Sequence, residues 1–156
     1  MGREIERKFL VIGDGWREGA VGRLYRQGYL SADPLRTVRV RSDGRSGFLT
    51  VKGPNRGAAR DEYEYEIPLA DAEEMLDRLR TGPLVEKTRY LVPHAGLVWE
   101  VDVFEGENRG LVVAEVELEG EDQPVQLPSW IGREVTGDER YYNVNLANNP
   151  FRSWKA

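Results

Sequence analysis

Glu4, Glu6 and Lys8, in the opening run REIERKFLV, are the first residues of this chain whose types and spacing suggest chemistry. On a β-strand alternate residues share a face, so the three side chains stack at a spacing of about 7 Å while Ile5 and Arg7 point the other way. Two carboxylates so placed can ligate a hard divalent cation such as Mg²⁺ or Mn²⁺. The ammonium beside them can hold a phosphate or move a proton. A solvated edge strand also carries Glu and Lys, so one such run is weak. The pattern recurs, however. Arg39 and Arg41 alternate with Val38 and Val40, and Thr50 and Lys52 with Leu49 and Val51. Glu62, Glu64 and Glu66 alternate with Tyr63, Tyr65 and Ile67, and Lys87 shares a face with Arg89. Glu100 and Asp102 stand opposite Trp99, Val101 and Val103, and Glu115, Glu117 and Glu119 opposite Val116 and Leu118.

Composition narrows the chemistry. There is no cysteine, hence no disulfide framework, thiolate nucleophile or Cys-ligated zinc. The one histidine, His94, lies in the turn-like run Pro93 to Gly96 and reads as an exposed loop residue. A metal site must therefore be built from carboxylates. With 27 Asp+Glu against 22 Lys+Arg, a nucleic-acid module held by bulk positive charge is not expected. The apolar runs are too short to span a membrane as helices, and a cytoplasmic protein is expected.

The elements that must position these residues are mostly strands. Runs with a period of two cover Arg23 to Leu30, Thr37 to Arg41, Phe48 to Lys52, Arg60 to Ile67, Val85 to Leu91, Leu97 to Phe104 and Leu111 to Glu119. The period changes once, over Asp71 to Arg80, where Ala72, Met75, Leu76 and Leu79 are spaced for a helix. Asp71 is its expected N-cap and Gly82-Pro83 its stop. A second helix is expected from about Asp138, and residues 148–156 read as a tail of one domain spanning 1–156. With the opening strand this makes about eight strands with short connections and no βαβ alternation, so a largely antiparallel, mainly β (α+β) fold is predicted.

The charged faces are segregated by strand. Bases fall on the third, fourth and sixth strands, and acids on the first, fifth, seventh and eighth. A sheet closed with these faces inward gives an eight-stranded antiparallel closed barrel with a basic wall and an acidic wall, wide enough for one small ligand. A polyanion with divalent cations would supply the partners that so many buried charges need. The apolar outer faces would be covered by helices or by a second subunit, so a homodimer belongs among the expected assemblies.

Glu4-x-Glu6-x-Lys8 resembles the signature of the triphosphate tunnel metalloenzymes, or CYTH superfamily. RQGYL, VRVR, the lysine of TVKGP, EYE, EKTRY, WEVDVF, VAEVEL and EVTGDERYYN follow in family order over nearly the whole chain. The resemblance implies a charged tunnel that binds a triphosphate. By position, Arg39, Arg41, Lys52, Lys87, Arg89 and Arg140 resemble phosphate-binding bases. Glu6, Glu115 and Glu117 resemble metal ligands, and Glu4, Glu62 and Glu64 resemble a cluster for a second ion or the attacking water. Lys8, Glu4 and Glu64 are thus the catalytic candidates, Lys8 also binding substrate, with Tyr29, Glu100, Asp102 and Tyr141 in support. Glu66 extends the acidic pattern beyond the tunnel. The implied activity is hydrolysis of inorganic tripolyphosphate with Mg²⁺ or Mn²⁺, two ions being expected with substrate bound. The alternatives are an adenylyl cyclase that makes cyclic AMP from ATP, a thiamine or nucleoside triphosphatase, and a non-catalytic polyphosphate-binding module. Neither nucleic acid nor membrane is an expected partner.

Overall fold

The computed structural model describes residues 2–154. Its strands are β1 (Arg3–Val11), β2 (Gly22–Ser31), β3 (Thr37–Ser42), β4 (Gly47–Lys52), β5 (Ala59–Ile67), β6 (Thr81–His94), β7 (Leu97–Phe104), β8 (Val112–Glu117) and β9 (Ile131–Glu134). The helices are α1 (Leu69–Arg78) and α2 (Asn143–Asn148).

Neighbours run β5-β4-β3-β2-β6-β7-β8-β1-β9, and β5 also pairs with β1, so β1 to β8 close into the expected antiparallel barrel. β1 makes the closure by changing partners along its length. Arg3 to Ile5 pair with β5, Glu6 to Leu10 with β8, and Phe9 and Val11 with β9. At the changeover the Glu6 N–H donates to the Ala58 carbonyl at 3.0 Å, and the Ile5 carbonyl accepts from Leu118 N–H at 2.7 Å. β9 is one strand more than expected. Its four residues, IGRE, are too short to display a period.

Two apolar clusters lie outside the barrel wall. One packs Ile5, Phe9, Trp99, Val101, Ala114 and Val116 under Trp16 and Trp130, which come from the loops after β1 and β8. The other packs Val40 against Ala72 and Leu76 of α1. Gly47 permits that approach, because a Cβ there would stand 2.5 Å from the Ala72 Cβ. Helix and loops thus cover much of the outer surface, though Tyr63 and Tyr65 remain exposed.

Helix α1 starts two residues earlier than expected. Pro68 is its N-cap, with no side-chain cap, and Asp71 sits in the first turn. An acid there still suits the positive end of the helix dipole. Leu79 is exposed beyond the end, and Gly82 and Pro83 belong to β6. His94 is the last residue of β6, half-buried and paired with Leu97 across the hairpin, not a loop residue.

A third cluster lies inside the barrel. Val85, Phe104 and Val113, with Leu10 packed against them, continue the inward period of their strands and meet Tyr141, Leu146 and Ala147. The segment read as a tail joins this cluster. Phe151 and Trp154 pack against it, and Trp154 stands edge-on to Tyr141 at 5.2 Å. Lys155 and Ala156 lie outside the described residues.

Candidate active site

Above that cluster the inward faces line a cavity of about 170 Å³. Cross-strand register brings the charged residues together. Glu6 faces Glu117, Lys8 faces Glu115, and Glu115 faces Glu100. Glu4 lies opposite Arg60, Lys52 opposite both Thr37 and Glu62, and Thr50 opposite both Arg39 and Glu64. Among the described residues seven basic ones line the cavity, Lys8, Arg39, Arg41, Lys52, Arg60, Lys87 and Arg89, and seven acidic ones, Glu4, Glu6, Glu62, Glu64, Glu100, Glu115 and Glu117. Fully ionised, the lining has no net charge, so a polyanion entering it brings uncompensated charge unless cations come with it.

The basic side is held in carboxylate seats. Lys52 Nζ lies 3.2 Å from Glu4 and 3.4 Å from Glu62. Arg39 donates to Thr50 at 3.3 Å and to Glu64 at 3.5 Å, and Thr50 donates to Glu64 at 2.8 Å. Arg89 forks onto Asp102 at 2.7 and 2.9 Å and reaches Glu100 at 3.1 Å. Asp102 is buried behind the cavity and not part of its lining, and it also pairs with Lys87 at 2.8 Å. The Nε groups of Arg39, Arg41 and Arg60 are buried without a hydrogen-bond partner among the described residues. Such buried donors are costly to leave unmade, and phosphate oxygens are acceptors that would satisfy them.

Four of the acids lie in two close pairs, Glu6 with Glu115 and Glu4 with Glu62. Burial, then Glu115 and Glu4, pushes the Glu6 carboxyl well above the usual range. Burial would raise Glu115 too, but Lys8, the hydrogen bond from Glu6 and Arg89 hold it well below. Glu62 is pushed up to about 7 by burial and by its hydrogen bond with Glu4. Glu4 would also be raised by burial, and Lys52 and Glu62 outweigh that and hold it low. Burial, joined by Glu4, raises Glu117 at the rim. Two carboxyls that share a proton form a site in which a hard cation can replace that proton. Among the described residues no three acidic side chains already form a metal-enclosing group. These pairs fit an ion whose remaining ligands are water and substrate oxygens, as Mg²⁺ prefers.

The two buried lysines differ. Burial would lower Lys8, but Glu115, Glu6, Asp102 and Glu4 together raise it, so without metal it is an ammonium. Its Nζ donates to the Tyr141 carbonyl at 3.3 Å. Lys87 is lowered to about 8, chiefly by burial and with help from Arg89, despite Asp102. It also donates to Asn143 Oδ1 at 3.2 Å, which accepts from Gln27 at 3.1 Å.

Most predicted site residues converge here, Tyr29 included. Arg140 and Tyr141 do not. Arg140 is exposed and forks onto Asp138, with its closest contact at 3.0 Å. Tyr141 is buried in the apolar cluster, and its hydroxyl accepts from Arg133 at 3.3 Å. A 3-10 turn over Glu139–Tyr141 turns Tyr142 and Asn143 to the cavity in their place. Glu66 is exposed opposite Phe48 and does not line the cavity. Thr37, Asn55, Arg60, Thr136, Tyr142 and Asn143 line it without having been singled out. Arg60 continues the period of Glu62 and Glu64, and that signal could have found it. Thr136 is brought in by its hydroxyl, which accepts from the Lys8 N–H at 2.9 Å, and no sequence period marks it.

A closed antiparallel barrel lined by facing acids and bases defines a tunnel that binds polyanions together with cations. The chain belongs to the CYTH domain family, whose model matches residues 2–146. The tunnel metalloenzymes of that family depend on divalent metal ions. An inorganic triphosphatase of Acetivibrio thermocellus is 53% identical over 155 residues, 99% of each chain. Another, of Nitrosomonas europaea, is 42% identical over 151 residues, 92% of this chain and 96% of that one. The crystal structure of an inorganic triphosphatase aligns with a TM-score of 0.64 at 39% identity, covering 92% of this chain and 93% of that one. A protein of Pyrococcus horikoshii aligns with a TM-score of 0.59 at 20% identity, over 76% and 80% of the two chains, and shares the fold.

Proposed function

We propose that the chain is a divalent-metal-dependent triphosphatase that hydrolyses inorganic tripolyphosphate to orthophosphate and pyrophosphate in this chamber. Mg²⁺ or Mn²⁺ is the proposed ion, two of them with substrate bound, and the cytoplasm the proposed compartment. The observation that carries the reading is the matched lining: among the described residues seven bases and seven acids meet in one cavity, with Glu6 paired to Glu115 and Glu4 to Glu62. A module that only bound polyphosphate would need the bases and not the acids.

Arg39, Arg41 and Arg89 offer planar forks to phosphate oxygens, and Lys52 and Lys87 offer point charges. Glu6, Glu115 and Glu117 would hold one ion, and Glu4, Glu62 and Glu64 the other or the attacking water. When bound, the ion neutralises phosphate charge and lowers the pKa of a coordinated water. Lys8, lying beside Glu6 and Glu115, holds a phosphate oxygen as an ammonium and hands on a proton once those acids are occupied. Lys87, poised at about 8, is drawn to its charged form by the arriving anion. Phosphoryl transfer needs mainly positioning and electrostatics, so no Ser, Cys or His nucleophile is required.

An inorganic substrate is favoured by the lining. Beyond its charged residues it offers Tyr29, Ala58, Tyr142 and Val144 as larger apolar surfaces, which is little for a purine. The test is product analysis with tripolyphosphate and with ATP, each with Mg²⁺, Mn²⁺ or a chelator. Orthophosphate from tripolyphosphate that disappears with chelator is the expected result. Cyclic AMP from ATP would make the chain a cyclase, and binding without turnover would make it a binding module.

A further inference from the structure

Two arginines of the chamber are seated in different ways. Arg89 is tied to carboxylates on three sides, with oxygens of Asp102 at 2.7 Å, Glu100 at 3.1 Å and Glu115 at 3.6 Å. Arg41 lacks such a seat. Among the described residues the one carboxylate within ion-pair reach is Glu64 at 3.7 Å, and the Arg41 Nε is buried without a partner. What faces its guanidinium is aromatic. The Tyr25 ring centre lies 4.9 Å from it and the Phe48 ring centre 5.3 Å. The Tyr25 ring also stands 5.1 Å from the guanidinium of Arg89.

The barrel produces this arrangement. Tyr25 shares the inward period of Gln27 and Tyr29 on β2 and lies opposite Lys87 on β6. It therefore stands between β3, which carries Arg41, and β6, which carries Arg89. Phe48 faces Arg41 directly across the β3–β4 ladder. Like charges this close repel, and a π face set near both cations attracts each of them. A carboxylate seat would occupy the N–H groups that a phosphate needs. An aromatic face holds the flat side of the guanidinium and leaves its edge free.

We propose that Tyr25, backed by Phe48, is a positioning residue of the chamber: its ring seats Arg41 beside Arg89 and leaves the Arg41 N–H groups free for substrate phosphate. The proposal rests on the triphosphatase reading above, and its test is chosen so that the two can fail separately. In steady-state kinetics with tripolyphosphate, Tyr25→Leu should raise KM about tenfold with kcat within about threefold, while Tyr25→Phe, which keeps the ring, stays within about twofold of the parent. In an Arg41→Ala background the KM effect of Tyr25→Leu should shrink several-fold, leaving only what its contact with Arg89 contributes. Full persistence of its effect there, or an equal loss in Tyr25→Phe, overturns the proposal. A second measurement needs neither substrate nor turnover. The Arg41 Nε–H resonance, assigned through Arg41→Lys, should be ring-shifted in the parent and in Tyr25→Phe, and should move toward the ordinary arginine position in Phe48→Leu. An Arg41 resonance at the ordinary position in the parent overturns the seating even if Tyr25→Leu does not fold. Failure of the parent to hydrolyse tripolyphosphate counts against the functional reading and leaves the resonance test standing.

Discussion

The inward face of one barrel is divided into two regions. Along β1 it passes from Glu4, Glu6 and Lys8 to Leu10, and along β6 from Arg89 and Lys87 to Val85. Along β7 it passes from Glu100 and Asp102 to Phe104, and along β8 from Glu117 and Glu115 to Val113. Four strands change from ionic to apolar within one two-residue step, and Leu146 and Tyr141 pack against the apolar side. The charged region is a chamber and the apolar region its floor. The difference explains the lysines that border the floor. Lys87 sits where water is excluded, and burial outweighs Asp102 to lower its pKa. Lys8, also buried, is surrounded by more acids and rises instead. Position along the strand thus sets burial, and the cross-strand neighbours set its sign.

The chamber side of the comparison breaks most readily at Glu115. Glu115→Gln should lower kcat/KM for tripolyphosphate by at least about 100-fold and weaken divalent-cation binding in calorimetry, with the fold kept. Glu117→Gln, at the exposed rim, should cost about tenfold. Full activity with unchanged metal affinity would remove both from the ligand set. The floor breaks differently. Leu146 is fully buried, so Leu146→Ala should cost about 2–5 kcal/mol in urea unfolding. A much smaller loss would mean that the floor is not a packed core.

Acidity offers a subtler distinction. The Glu62 pKa is raised from 4.5 to about 7 on folding. The native state therefore holds that proton more tightly than the unfolded chain does. Stability of the metal-free protein should fall as pH rises through that window, from about 4.5 to 7. Glu6, also raised, pushes the same way, whereas Glu4 and Glu115 are held low and lose their contribution only in more acidic solution. Melting temperatures between pH 5 and 8 should decline without metal and flatten with Mg²⁺ or Mn²⁺. A rise with pH in the metal-free protein would reverse the assignment of shared protons. The smallest effect is expected outside both regions. Arg140→Ala should leave the urea unfolding midpoint essentially unchanged, as for an exposed ion pair, and change turnover by less than about twofold. A larger loss of turnover would return Arg140 to the substrate.

Sequence periodicity carried the barrel and most of the chamber because a period of two assigns faces without knowledge of the partner strand. Arg39, Arg41, Lys52, Lys87 and Arg89 could all be placed in this way. The same period also ran through Asp102, which is withdrawn behind the arginines it holds, and through Glu66, which is exposed opposite Phe48. Parity gives the face and not the depth. The floor was not recognised, because inward Val and Leu look the same in sequence as outward core residues. The segment around Arg140 was misplaced by two residues. A 3-10 turn follows neither a period of two nor one of 3.6, so which side chains it turns inward depends on packing against β6 and the floor. Trp154 and Phe151 had no period at all, and their docking depends on the ring of Tyr141.

The most direct test is a crystal structure with tripolyphosphate and a divalent cation, using a slowly turning-over variant such as Glu115→Gln alongside the parent protein with a non-hydrolysable analogue. Phosphate oxygens should lie against Arg39, Arg41, Lys52, Lys87 and Arg89, in the charged region and clear of Leu10, Val85, Phe104 and Val113. In the parent protein a cation should bridge the phosphates to Glu6 and Glu115. A polyanion bound on the outer surface, or a chain that displaces Leu146 to enter the apolar region, would contradict the division of the barrel into chamber and floor.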